Sequence, residues 1–129
     1  MSETKQYFGK VKNILRTNNI EDECKKLAQN NGLKELPEYY SSWEELVRDN
    51  LSDKYVIINN ENDNYSIYEI IENKEDNYSD ITYVSKEDPK NPGTRSFIMK
   101  FYNGGTCLSE CLEESLKKIE ENDKNDKTT

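Results

Sequence analysis

The residues of this chain best suited to chemistry are carboxylates, and the partners that most mechanisms would ask of them are missing. Histidine is absent. That removes Ser-His-Asp and Cys-His nucleophile pairs, histidine-based zinc sites and the side chain most often used for proton transfer near neutral pH. No Gly-x-Gly-x-x-Gly or Walker-type loop occurs, so glycine-rich phosphate cradling is missing too. Cys107 is expected at a helix start, where the dipole lowers a thiol's pKa, but a reactive thiol also needs a base or a resolving partner. Cys111 is its near neighbour at a spacing other than Cys-x-x-Cys, and both read as small apolar core residues. Asn60, Asn62, Asp63 and Asn64 offer oxygens to a cation but lack the glycine and distant bidentate glutamate of a calcium loop. They read as a polar hairpin turn. Gly104-Gly105 ahead of a helix reads as a turn that ends a strand, ahead of an anion site. No metal or cofactor is expected, and the chain is read as non-catalytic.

Charge is the more informative property. The 129 residues carry a formal net charge of −8, unevenly spread. Lys5, Lys10, Lys12 and Arg16 face a single acid, Glu3, over residues 1–18. Residues 55–90 instead hold nine carboxylates against three lysines. A nucleic-acid groove or an anionic membrane calls for the opposite bias, so direct binding to either is disfavoured and a basic protein partner is favoured. The candidate contact residues are Glu61, Asp63, Glu69, Glu72, Glu75, Asp76, Asp80, Glu87 and Asp88, joined by Tyr65, Tyr78 and Tyr83. Carboxylates along a sheet edge can stand where nucleic-acid phosphates would, and tyrosine supplies contact area at low entropic cost.

The elements that must position these groups follow from hydrophobic periodicity. Tyr7, Phe8, Val11, Ile14 and Leu15 have helical spacing and predict a first helix over residues 2–17. Asn19 is placed to cap a second helix with Ile20, Cys24, Leu27 and Ala28 inward, ended near Gly32. Ser42-Trp43-Glu44-Glu45 has the capping-box pattern and predicts a third, with Trp43 as a core anchor beside Leu46, Val47 and Leu51. The period then shortens to two: strands are expected at Tyr55–Ile58, Tyr65–Ile71, Ile81–Val84 and Ser96–Tyr102. The short, turn-rich connections leave no room for crossover helices, so an antiparallel meander follows. Thr106 should cap a last helix carrying Leu108, Cys111, Leu112, Leu116 and Ile119.

The expected fold class is therefore α+β: short N-terminal helices, a four-stranded antiparallel meander, and a C-terminal helix packed on the sheet. Residues 1–119 form a single domain in this reading, and residues 120–129 an acidic, polar, disordered tail. The polar N-terminus shows no secretory signal, no run nears the roughly 18 apolar residues of a membrane span, and the cysteine spacing suits reduced thiols, so a cytoplasmic location is expected.

Leu36-Pro37-Glu38-Tyr39-Tyr40 followed by Trp43-Glu44-Glu45-Leu46 resembles the stretch that carries the ribonuclease-binding helix of barstar-type inhibitors. The likeness is local. Ser41-Ser42 replace the family's glycine and asparagine, and an antiparallel meander does not suit its small parallel sheet, so the family is not assigned. The functional class is nevertheless the same: a small acidic inhibitor or nucleic-acid-mimicking decoy that covers the basic surface of a nuclease or other nucleic-acid-handling protein. A phage- or plasmid-encoded protein of the anti-CRISPR or anti-restriction kind fits this description. The alternatives are an immunity protein that neutralises a basic nuclease toxin, or an adaptor using its aromatic surface.

Overall fold

The computed structural model describes residues 4–76, 83–102 and 108–126. In chain order the elements are β1 (Thr4–Thr17), α1 (Ile20–Asn30), α2 (Trp43–Asn50), β2 (Tyr55–Asn59), β3 (Tyr65–Asp76), β4 (Tyr83–Val84), β5 (Thr94–Tyr102) and α3 (Leu108–Asp126). The class is α+β, with a curled, antiparallel five-stranded sheet of order β2-β3-β1-β5-β4.

The first element corrects the sequence reading. Residues 4–17 form the central strand instead of a helix, pairing with β3 on one side and β5 on the other. The expected four-strand meander is replaced by a sheet in which β1 separates β3 from β5. Two bulges explain the helical appearance of the apolar spacing. Ile14 is an extra residue between Asn13↔Tyr68 and Leu15↔Ile67, and Ile71 an extra residue between Lys10↔Glu72 and Val11↔Ile70. A one-residue slip exchanges the faces. Val11 thus packs with the residues against α3, while Leu15 packs with those against α1 and α2. Gly9 is required by close approach: a Cβ there would meet the Glu72 carbonyl oxygen at 1.8 Å.

Two apolar clusters lie on opposite faces. One joins Val11, Val56, Ile58, Tyr68, Phe97 and Met99 of the sheet to Leu112 and Leu116 of α3. The other joins Ile57 and Ile67 to Ile20, Cys24 and Ala28 of α1 and to Leu46, Val47 and Leu51 around α2. Three consecutive buried residues, Val56-Ile57-Ile58, are the mark of a strand covered on both faces. Trp43 is half-buried against the second cluster, in keeping with the anchor reading.

The helices around β2 are tied by charge. The Glu21 carboxylate of α1 accepts from the first two backbone amides of α2, Trp43 N at 3.0 Å and Glu44 N at 3.1 Å. A carboxylate is well placed at a helix N-terminus, where unpaired amides and the dipole both favour it. Arg48 of α2 donates Nε to Glu44 and Nη1 to Glu113 of α3, each at 2.8 Å. The capping box at Ser42 is half as expected. Glu45 N donates to Ser42 Oγ at 3.1 Å, but the Glu45 carboxylate turns to Ser41, which holds it below the usual carboxylate range. All described strand pairs are antiparallel, so the local likeness to barstar-type inhibitors does not extend to the sheet.

The last helix departs from expectation at its end. It runs past Ile119 to Asp126, and Glu120, expected in a disordered tail, has its side chain only 11% exposed. Leu112, Leu116 and Glu120 are four residues apart, so one helix face that begins apolar ends in a carboxylate over the sheet.

Candidate functional site

The β2–β3 connection is a tight turn. Asn62 and Asp63 both have positive φ (53° and 62°), and Asn64 N donates to the Glu61 carbonyl at 3.0 Å. Successive left-handed residues match the twist of a hairpin, and Asn and Asp tolerate that conformation best. The turn reading of Asn60–Asn64 is what the structure contains. Among the described residues no group of three or more His, Cys, Asp or Glu side chains is arranged to hold a metal.

Beside this turn lies an open polar groove of about 1660 Å³. The end of β1 contributes Asn13 and Arg16, the hairpin Asn60, Glu61 and Tyr65, the β4–β5 loop Glu87 and Gly93, β5 Arg95, and α3 Glu120 and Glu121. Its floor is a hydrogen-bonded chain. Asn60 Nδ2 donates to Ser66 Oγ at 3.1 Å, Ser66 Oγ donates to Glu120 at 3.2 Å, and Tyr68 OH donates to the other Glu120 oxygen at 2.8 Å. Arg16 Nη2 is 4.0 Å from Glu120. Burial pushes the Tyr68 phenol up to about 12, with the Glu120 carboxylate adding to the effect and the Asn13 amide opposing it. Tyr68 is thus a neutral donor at neutral pH, and Glu120 is held in place. Glu61, Glu87 and Glu121 are exposed along the same groove.

The sequence-derived contact residues divide into groups. Glu61, Tyr65 and Glu87 meet in the groove, and Asp63 is exposed in the adjoining turn. Glu69 and Glu72 lie elsewhere, on β3 directly opposite Lys12 and Lys10 of β1, and Glu72 also pairs with Lys74 at 3.4 Å. Glu75 and Asp76 are opposite Tyr7 and Gln6 farther along the same pairing. Tyr83 is on the edge strand β4, 48% exposed. Asp88 shapes its own loop: its carboxylate accepts from Lys90 N at 2.9 Å and from the Asn91 amide at 3.3 Å, which holds it below the usual range. Glu87 likewise accepts from Gly93 N at 2.9 Å while still exposed to the groove. Tyr78 and Asp80 lie outside the described residues, as do Gly104-Gly105, Thr106 and Cys107.

Sequence reasoning missed Asn13, Arg16, Tyr68, Arg95, Glu120 and Glu121. Arg16 was hidden by the helical reading of residues 2–17, although Lys10, Lys12 and Arg16 do alternate with more buried neighbours as a strand requires. Glu120 had a visible signal in its four-residue spacing from Leu116. Cys24, by contrast, has no place in any site. It is fully buried, and burial, then Glu44 and Glu21, push its thiol up to about 12. Among the described residues no helix is long and apolar enough to cross a membrane. No protein-family model, curated protein or solved structure matches the chain.

Proposed function

We propose that this chain is a non-catalytic binding protein that docks its polar, acidic groove against a basic surface of a nucleic-acid-handling protein and occludes it. The carrying observation is that Glu61, Glu87 and Glu121, from three separate elements, are exposed along one groove whose fourth carboxylate, Glu120, is engaged from within. Exposed carboxylates beside Asn18, Asn60, Asn62 and Asn64 accept hydrogen bonds from lysine and arginine side chains. A net charge of −8 accelerates encounter with a basic partner and makes it salt-sensitive. The proposed contact moves from the sheet acids toward the hairpin, because Glu69 and Glu72 already face lysines across β1. An immunity protein for a basic nuclease would use the same physics.

A second reading rests on Tyr39. It is 80% exposed in the α1–α2 connection, its ring 4.8 Å from that of Tyr40, whose hydroxyl bonds Asp49. An adaptor would use such an aromatic anchor instead of charge.

Affinity capture from the cells that express the protein separates the readings. The tagged wild-type chain, Glu61→Lys/Glu87→Lys/Glu121→Lys and Tyr39→Ala are compared, and the retained protein is identified. The groove reading expects a basic nucleic-acid-binding protein that the triple variant loses and Tyr39→Ala keeps. A neutral or acidic partner lost only by Tyr39→Ala overturns it in favour of the adaptor.

A further inference from the structure

We propose that Gly93 is a positioning residue for the groove contact, holding the Glu87 carboxylate in place at the groove's edge. The proposal rests on the reading of the groove as the contact with a basic partner. Asn91-Pro92-Gly93-Thr94 is a turn closed by Thr94 N, which donates to the Asn91 carbonyl at 3.0 Å. Proline followed by glycine at φ +87° has the sequence and geometry of a type II turn, which needs a left-handed third residue. Both polar groups of the Gly93 backbone are then used across the loop. Its N–H donates to Glu87 Oε1 at 2.9 Å, and its carbonyl accepts from Asn13 N of β1 at 2.8 Å. One residue thus ties a groove carboxylate, through its own backbone, to the central strand.

The rest of the loop is fastened independently. Ser85 N donates to the Ser96 carbonyl and Asp88 N to the Thr94 carbonyl, both at 2.9 Å. Arg95 Nη1 donates to the Ser85 carbonyl at 2.9 Å. Gly93 therefore acts on the Glu87 side chain more than on the course of the loop. A side chain at position 93 would be strained by the positive φ. Its Cβ would also stand 3.4 Å from the Asn13 carbonyl oxygen, so the turn would shift away from β1. Glu87 is exposed, and an exposed glutamate with nothing to hold it samples several rotamers that a partner must freeze on binding. The Gly93 amide has already selected one. Each carboxylate oxygen accepts more than one hydrogen bond, so the charge stays available to lysine or arginine.

A double-mutant cycle tests this on the partner captured by the tagged chain, with calorimetric titration of wild type, Glu87→Ala, Gly93→Ala and the double variant. Each single substitution should weaken binding about three- to tenfold, the effect of losing one pre-ordered contact. In the Glu87→Ala background Gly93→Ala should have no further effect, because what it positions is gone. A glycine needed only for the fold would weaken binding equally in both backgrounds, and that result overturns the proposal. Wild-type affinity in Gly93→Ala or in Glu87→Ala also overturns it. The groove reading itself falls only if Glu61→Lys/Glu87→Lys/Glu121→Lys binds like wild type as well. Hydrogen exchange reads the contact with no partner and no change at Gly93. The Gly93 amide should exchange at least about tenfold faster in Glu87→Ala than in wild type, and equal rates overturn the proposal.

Discussion

The Tyr68 hydroxyl of β3 donates a 2.8 Å hydrogen bond to the Glu120 carboxylate of α3. This single contact joins the central sheet, the end of the last helix and the floor of the groove. Glu120→Ala leaves the Tyr68 and Ser66 hydroxyls without their acceptor, and leaving buried donors unpaired is expected to cost about 1–3 kcal/mol. Urea denaturation measures it. Glu120→Gln, which keeps an acceptor oxygen, should lose less. A change within about 0.5 kcal/mol for Glu120→Ala, the usual range of an inert surface site, would mean the helix end is not held this way.

Gly9→Ala distinguishes the strand from the helix that the apolar spacing suggests. In a helix, alanine in place of glycine stabilises by roughly 0.5–1 kcal/mol. In the observed strand the new Cβ meets the Glu72 carbonyl at 1.8 Å, so β1 and β3 must part locally, and a loss of at least about 3 kcal/mol is expected. Gly32→Ala is the control. Its φ of +88° is strained for alanine but nothing lies within 4 Å of the added carbon, and about 1 kcal/mol should be lost.

The contrast at Gly9 shows where the sequence was legible. Asn19 and Ser42 announced α1 and α2 because a cap is a local device: both accept a backbone amide from the first turn as their residue types imply. The β2–β3 hairpin was equally local, since Asn62 and Asp63 can take left-handed backbone. What was not legible depended on distant partners. β1 reads as a helix until the bulges at Ile14 and Ile71 are known, and those bulges are properties of the β1–β3 pairing. The insertion of β1 between β3 and β5 left no mark in the short connections that suggested a meander. The groove was legible only in part, because Glu61 and Glu87 stand in turns that invite inspection, whereas Arg16, Tyr68 and Glu120 come together through pairing and packing.

Stability should decline in alkali through two buried acids. Cys24 rises from 9.0 to about 12, and Tyr68 from 10.0 to about 12, both chiefly by burial. For each the folded state favours the protonated form. The stabilisation is therefore complete below the unfolded pKa and is lost as pH climbs from there toward about 12. The urea midpoint should fall as pH rises above 9.0, and Cys24→Ala and Tyr68→Phe should each flatten the fall. An unchanged slope in both variants would contradict the assignment. In a Cys107→Ser/Cys111→Ser background, the remaining thiol should react with Ellman's reagent only when urea unfolds the chain.

The central claim, that the groove carboxylates carry the contact with a basic partner, is tested most directly by affinity. Calorimetric titration of the captured partner compares the wild-type chain with Glu61→Lys/Glu87→Lys/Glu121→Lys at about 0.1 M and about 0.5 M salt, on either side of strong screening. The predicted result is binding at least about 100-fold weaker for the triple variant, and wild-type affinity that falls as salt rises. Equal affinity for both proteins, unchanged between the two salt concentrations, would contradict it.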